Sequence, residues 1–203
     1  MILVAATTCY LIGSIPTAGL IARLRGIDLR IQGSGNPGTN NALRTGGVML
    51  AVSVLVVEAA KGYAAVLVAN SMVDDWGAVV GGVAAVAGNV FNVWYGFSGG
   101  KGLGISLGVL LAIWPWVVLP LALLIALAAL LTRSAGLAAL TAIAGLLVAA
   151  FAWPTRGWST GGLVESGAEL AFLSSGMTAV MGWKHWRHSP LNPAWRSARR
   201  TPV

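Results

Sequence analysis

Apolar stretches of membrane-crossing length follow one another along this chain, and its charges are gathered mainly in the gaps between them. A spanning helix needs about 20 predominantly apolar residues, because each residue advances about 1.5 Å across a hydrocarbon core of about 30 Å. Seven candidate stretches lie at about 2–24, 48–69, 77–97, 103–114, 117–131, 136–153 and 167–183, the fifth being short for a full span. The first carries Gly13, Ser14 and Pro16 in its middle, which predicts a kink or a close helix contact. In lipid every backbone polar group must be satisfied internally, so almost no strand is expected. The pattern predicts an all-α polytopic membrane protein with seven transmembrane helices and Gly-rich cytoplasmic-side loops. The whole of 1–203 reads as one domain, with 184–203 a basic cytoplasmic tail lying along anionic lipid headgroups. Composition agrees: 9% of residues are charged, against about a quarter in soluble domains.

The net charge of +7 does not point to nucleic acid, because the basic residues are not clustered as a groove would need. They mark sidedness instead. Apart from Lys61 within a span and Arg156, every Lys and Arg falls in an odd-numbered loop or the tail. Asp74, Asp75 and Glu165 fall in even-numbered loops. The positive-inside rule then puts the N-terminus outside and the C-terminus in the cytoplasm. The apolar run at the N-terminus has no basic lead and no cleavage-site pattern, so it is expected to be a retained helix. Cys9 is the single cysteine, and no Cys/His cluster suggests a metal.

Two polar stretches on the cytoplasmic side carry the chemistry. The first is Gly33-Ser34-Gly35-Asn36-Pro37-Gly38-Thr39-Asn40-Asn41, followed by Arg44. Its glycines allow a tight backbone that presents N–H groups to an anion, Ser34, Asn36, Asn40 and Asn41 add neutral donors, and Arg44 adds a planar fork. An ordinary connecting loop would use the same residue types. The second is Phe97-Ser98-Gly99-Gly100-Lys101-Gly102, which has the chemistry of a phosphate loop without the Walker spacing; a glycine hinge with a snorkelling lysine is the plainer reading. Glu58 and Lys61 stand at i and i+3 inside the second span, as a polar site or as an ion pair joining helices. Arg133 and the tail share the loops' side, so one cytoplasmic-side anion site can draw on all four.

Taken in order, these stretches resemble the bacterial acyl-phosphate-dependent glycerol-3-phosphate acyltransferases. Tyr10-Leu11-Ile12-Gly13-Ser14-Ile15-Pro16 is similar to that family's opening helix motif. The run from Gly33 to Arg44 resembles its G-S-G-N-x-G-A-T-N-V-x-R loop, and Glu58-Ala59-Ala60-Lys61-Gly62 its D-x-x-K-G. Gly88-Asn89-Val90-Phe91-Asn92-Val93 and the later Gly99-Gly100-Lys101-Gly102 resemble its G-H-x-F-P-V and F-K-G-G-K-G.

The resemblance implies transfer of a fatty acyl group from acyl-phosphate to the sn-1 hydroxyl of glycerol 3-phosphate. The products are lysophosphatidic acid and phosphate, made for phospholipid synthesis at the bacterial inner membrane without cofactor or metal. It assigns Ser34, Arg44 and Lys101 to catalysis. It assigns Gly33, Gly35, Asn36, Gly38, Asn41, Lys61, Asn89, Gly99, Gly100, Gly102 and His185 to substrate binding. Partners are the two substrates and membrane lipids, with another membrane protein as a further possibility. Asn89 stands where the family has histidine, Asn92 where it has proline, Asn40 where it has threonine, Ser98 where it has lysine, Gly136 where it has serine, and Glu58 where it has aspartate. In the tail, Trp186 and His188 replace its arginine and asparagine. Two other readings stay open: a non-catalytic or substrate-switched paralogue serving as a partner subunit, and an anion transporter built on the intramembrane charges.

Overall fold

The computed structural model describes residues 1–73, 76–165 and 167–187, and these form helices and connecting loops without a strand. Asp74, Asp75 and the tail from His188 onward, with Trp195, Arg196, Arg199 and Arg200, lie outside the described residues. The helices are α1 Ile2–Ser14, α2 Thr17–Arg23, α3 Thr39–Met72, α4 Gly77–Val90, α5 Leu103–Ile113, α6 Pro115–Thr132, α7 Ala135–Thr155 and α8 Ala168–Arg187. With α1 and α2 taken as one broken helix, they follow the seven expected stretches in order. Among the described residues, five segments are long and apolar enough to cross a membrane: 2–23, 39–72, 77–95, 115–132 and 135–155. The stretch expected to be short, at 117–131, forms the 18-residue α6, because Trp114-Pro115 starts it early with proline at a first-turn position where no N–H is needed. α5 is short, at 11 residues.

Two breaks shape the cytoplasmic side. Pro16 cannot donate a backbone hydrogen bond, so the first helix parts into α1 and α2 there. Gly47 takes φ 77° and ψ −175°, a conformation open to glycine, and divides α3 into a piece from Thr39 to Gly46 and a long span after it. The end of the polar run, with Asn41 and Arg44, is therefore helical rather than loop.

Helix axes approach closely where glycines meet backbone. A Cβ at Gly13 would collide with the Ala85 carbonyl, and one at Gly88 with the Tyr10 carbonyl, so α1 and α4 cross through reciprocal glycines. α3 and α5 do the same, with Gly62 against the Ile105 carbonyl and Gly108 against the Ala59 carbonyl. Small residues at such crossings give dispersion contacts that lipid chains cannot match. Polar side chains add to the α1–α4 contact: Ser14 Oγ donates to the Gly88 carbonyl at 3.0 Å and Tyr10 Oη to the Phe91 carbonyl.

Gly108→Ala should force α3 and α5 apart and cost roughly 1–3 kcal/mol, lowering the melting temperature in detergent by about 3–10 °C. Gly182→Ala, whose Cβ meets nothing nearer than 4.0 Å, should leave it unchanged or higher. Tryptophan fluorescence on heating measures both.

Candidate anion and acyl site

Pro16 and the buried charges are directly connected. The break leaves carbonyls at Ser14 and Ile15 outside a regular helix, and side chains from elsewhere take them. Lys61 Nζ donates to the Ile15 carbonyl at 2.9 Å, and Asn92 Nδ2 donates to the Ser14 carbonyl. Lys61 Nζ also lies 3.0 Å from Glu58 Oε1 and 3.2 Å from Thr17 Oγ1, while the Thr17 hydroxyl donates to the same carboxylate oxygen. Asn89 Nδ2 donates to the second one, Glu58 Oε2, at 2.6 Å. Both oxygens of a carboxylate whose side chain is only 7% exposed are thus occupied. That is the condition for holding a buried ion pair without a large desolvation loss.

The first glycine-rich loop is shaped from within by Asn41. Its Oδ1 accepts the Ser34 backbone N–H at 2.8 Å, and its Nδ2 donates to the carbonyls of Leu29 and Gln32 at 2.9 and 3.0 Å. Gly33 takes φ 62° and Gly35 φ 71°, and a Cβ at Gly33 would strike the Asn41 amide. Ser34 Oγ accepts the Asn36 N–H at 3.5 Å. The second loop is pinned to the end of α4, where Gly99 N donates to the Val90 carbonyl and Gly100 N to the Asn89 carbonyl, each at 3.0 Å. A Cβ at Gly99 would collide with that Asn89 carbonyl, so the approach requires glycine.

The two loops meet on one cavity of about 850 Å³. Of the residues singled out from the sequence, Ser34, Gly35, Asn36, Gly38, Arg44, Asn89, Gly99, Gly100, Lys101, Gly102 and His185 line it. Gly33, Asn41 and Lys61 do not: the first two hold the loop from behind, and Lys61 stands behind Glu58. Lys184 and His185, assigned to the tail by sequence, instead form part of the last turns of α8 and are buried at 7% and 2% exposure, because α8 continues to Arg187. Glu58, Arg133 and Lys184, raised by the sequence as an intramembrane charge, a cation on the loops' side and part of the tail, also line the cavity, with Thr39 of the first polar stretch; Ser106 and Thr178 line it too and had not been singled out. Arg133 had a signal, as a cation closing a span on the loops' side. The α8 residues had one too: Met177, Met181, Lys184 and His185 recur at helical spacing.

The cationic side chains Arg44, Lys101, Arg133 and Lys184 surround the polar end, with Glu58 as the acidic lining residue. Burial pushes the Lys101 ammonium below the ordinary lysine range, and the Arg44 charge pushes it further. The other end is walled by apolar residues of α5, α6, α7 and α8. An amphiphile with an anionic head and a hydrocarbon tail matches both ends.

Comparison with known proteins agrees with this geometry. A glycerol-3-phosphate acyltransferase from Agrobacterium fabrum is 38% identical over 186 residues, covering 91% of this chain and 85% of its own. The crystal structure of PlsY, an integral membrane glycerol 3-phosphate acyltransferase, in its glycerol 3-phosphate form superposes with a TM-score of 0.79 at 30% identity, covering 100% of this chain and 95% of that one. Its lysophosphatidic acid form gives 0.78 at 28% identity, with the same coverage. The family profile described as glycerol-3-phosphate acyltransferase matches residues 3–190. This integral membrane protein belongs to the glycerol-3-phosphate acyltransferase family.

Proposed function

We propose that the protein transfers a fatty acyl group from acyl-phosphate to the sn-1 hydroxyl of glycerol 3-phosphate, giving lysophosphatidic acid and phosphate. The observation that carries this reading is the convergence of two glycine-rich loops, Arg44 and Lys101 on a cavity whose other end is apolar. The seven helical segments cross the bacterial inner membrane with the N-terminus outside. That orientation follows from the positive-inside distribution, and it opens the polar end to cytoplasmic glycerol 3-phosphate.

In this mechanism Arg44, Lys101 and the loop N–H groups grip the two phosphates and bring the acceptor hydroxyl against the acyl carbonyl carbon. The hydroxyl oxygen bonds to that carbon and the carbon–oxygen bond to phosphate breaks. The departing phosphate carries away the bonding pair and takes up the hydroxyl proton. The donor is already an activated mixed anhydride, so no enzyme nucleophile is required. The cations contribute most where charge gathers on the leaving phosphate. Ser34 serves as a loop hydrogen-bonding group, Asn89 fixes Glu58 at the cavity wall, and Lys61 balances the Glu58 charge.

Turnover of labelled glycerol 3-phosphate by purified protein in lipid tests the reading, with acyl-phosphate compared against acyl-CoA and acyl-carrier-protein donors. Product is expected from acyl-phosphate alone. Arg44→Ala and Lys101→Ala should each lower kcat/KM by roughly 10²–10³. Ser34→Ala should keep measurable turnover; complete loss with unchanged substrate binding would assign Ser34 as a nucleophile instead.

Lys101 also sets a pH limit. Its depressed pKa means that the cationic form is lost on raising the pH earlier than for a solvent-exposed lysine. KM for the phosphate substrates should therefore climb on the alkaline side. Lys101→Arg, which stays charged, should move that limb upward whatever its effect on the maximal rate.

A further inference from the structure

The apolar end of the cavity rests on a packed layer, and that layer has a use if the donor is acyl-phosphate, as proposed above. We infer that Leu110, Val118, Leu121, Ile143 and Leu146 form a floor that sets the longest acyl chain the protein accepts. On three of its walls the lining stops short of the helix end away from the loops. On α5 it stops at Leu110, three residues before the helix ends, and on α6 it begins at Val118, three residues after the helix starts. On α7 it stops at Leu146.

The layer beneath the floor is solid core. Ile113, Trp114, Val117 and Ala150 are 0%, 0%, 1% and 1% exposed, and none of them lines the cavity. The loop between α7 and α8 is folded up against this layer from the outer side. Leu163 N donates to the Ala112 carbonyl at 3.0 Å, the buried Thr160 hydroxyl donates to the Val164 carbonyl, and Gly162 sits against the Ile113 carbonyl with no room for a Cβ. Trp153 meets Trp114 edge to face at 5.2 Å between ring centroids. A floor backed in this way cannot give way to a longer chain by a single rotamer change.

The distance along α7 from Gly136 at the polar rim to Leu146 is about 15 Å at 1.5 Å per residue. Methylenes up to that depth fit the apolar lining, and the next must bend back against packed core. The result is a length optimum with a sharp fall beyond it.

The test is the ratio of kcat/KM values for saturated acyl-phosphates of graded length, taken within each variant. Leu146→Ala deepens the floor and should move the optimum to chains about two methylenes longer. Ala142→Leu, one helical turn nearer the rim, should move it about two methylenes shorter. Because the ratio is internal, lower overall activity does not affect it, and either variant decides the matter if the other fails to fold. Variants that keep the unaltered length profile while turning over donor would overturn the floor and leave the reaction standing. Absence of acyl transfer from acyl-phosphate of any length by the unaltered protein would instead sink the donor assignment, and the floor with it.

Discussion

A buried ion pair between Glu58 and Lys61 is what the cytoplasmic half of this molecule is assembled around. Neither charge is tolerable alone inside a helix bundle, so each must collect partners, and the partners come from three different segments. Lys61 reaches the carbonyl exposed by the break at Pro16, and Thr17 just past the break joins the same carboxylate. Asn89 at the end of α4 completes it. The proline break in one helix, the charge pair in a second and the amide in a third satisfy one another. Removing any of them leaves a polar group stranded in an apolar setting, at a cost of about 1–3 kcal/mol for a neutral group and more for a charge.

This cluster fixes where the two glycine-rich loops lie. Asn89 holds Glu58 with its side chain and Gly100 with its backbone carbonyl, so the Lys101 loop is placed by the residue that anchors the ion pair. The first loop follows Pro16, α2 and a short turn, and Arg30 stacks over the Tyr95 ring at 4.6 Å, tying it to the α4–α5 connection. The glycine crossings of α1 with α4 and α3 with α5 bring these backbones close enough for the contacts to form. Rigid placement matters for a reaction whose catalysis rests on orientation and charge, because displacement of a phosphate grip by about 1 Å can cost about 10²-fold in rate.

Helix order, the sharing of one side by the polar loops and the pairing of Glu58 with Lys61 were all legible in the sequence, since each rests on local rules: hydropathy length, charge sidedness and the i, i+3 relation. The break at Gly47 was not, because a glycine inside an apolar run carries no sign of its φ angle. Nor was the supporting role of Asn41. Its contacts with Leu29, Gln32 and Ser34 are made by a loop doubling back, and residue type alone does not separate a group facing a ligand from one facing its own backbone. Lys184 and His185 were assigned to a surface tail because basic residues after an apolar stretch usually mark the interface; α8 carries them another turn into the cavity wall.

Asn89 shows how a changed residue can keep a structural role while altering the chemistry available. Where the family resemblance puts histidine, this chain has an amide, paired with a glutamate where the resemblance puts the shorter aspartate. The amide donates to Glu58 at 2.6 Å and has no titration of its own near neutral pH. It cannot serve as a general base, so a mechanism at this site must draw its proton acceptor from elsewhere. In the proposed reaction, acyl-phosphate supplies one in its leaving phosphate. The charge balance inside the cluster then rests on Lys61, and the proposed mechanism gives the substrates' phosphates to Arg44 and Lys101. In the proposed mechanism the ion pair then belongs to the architecture and the loop cations to the reaction.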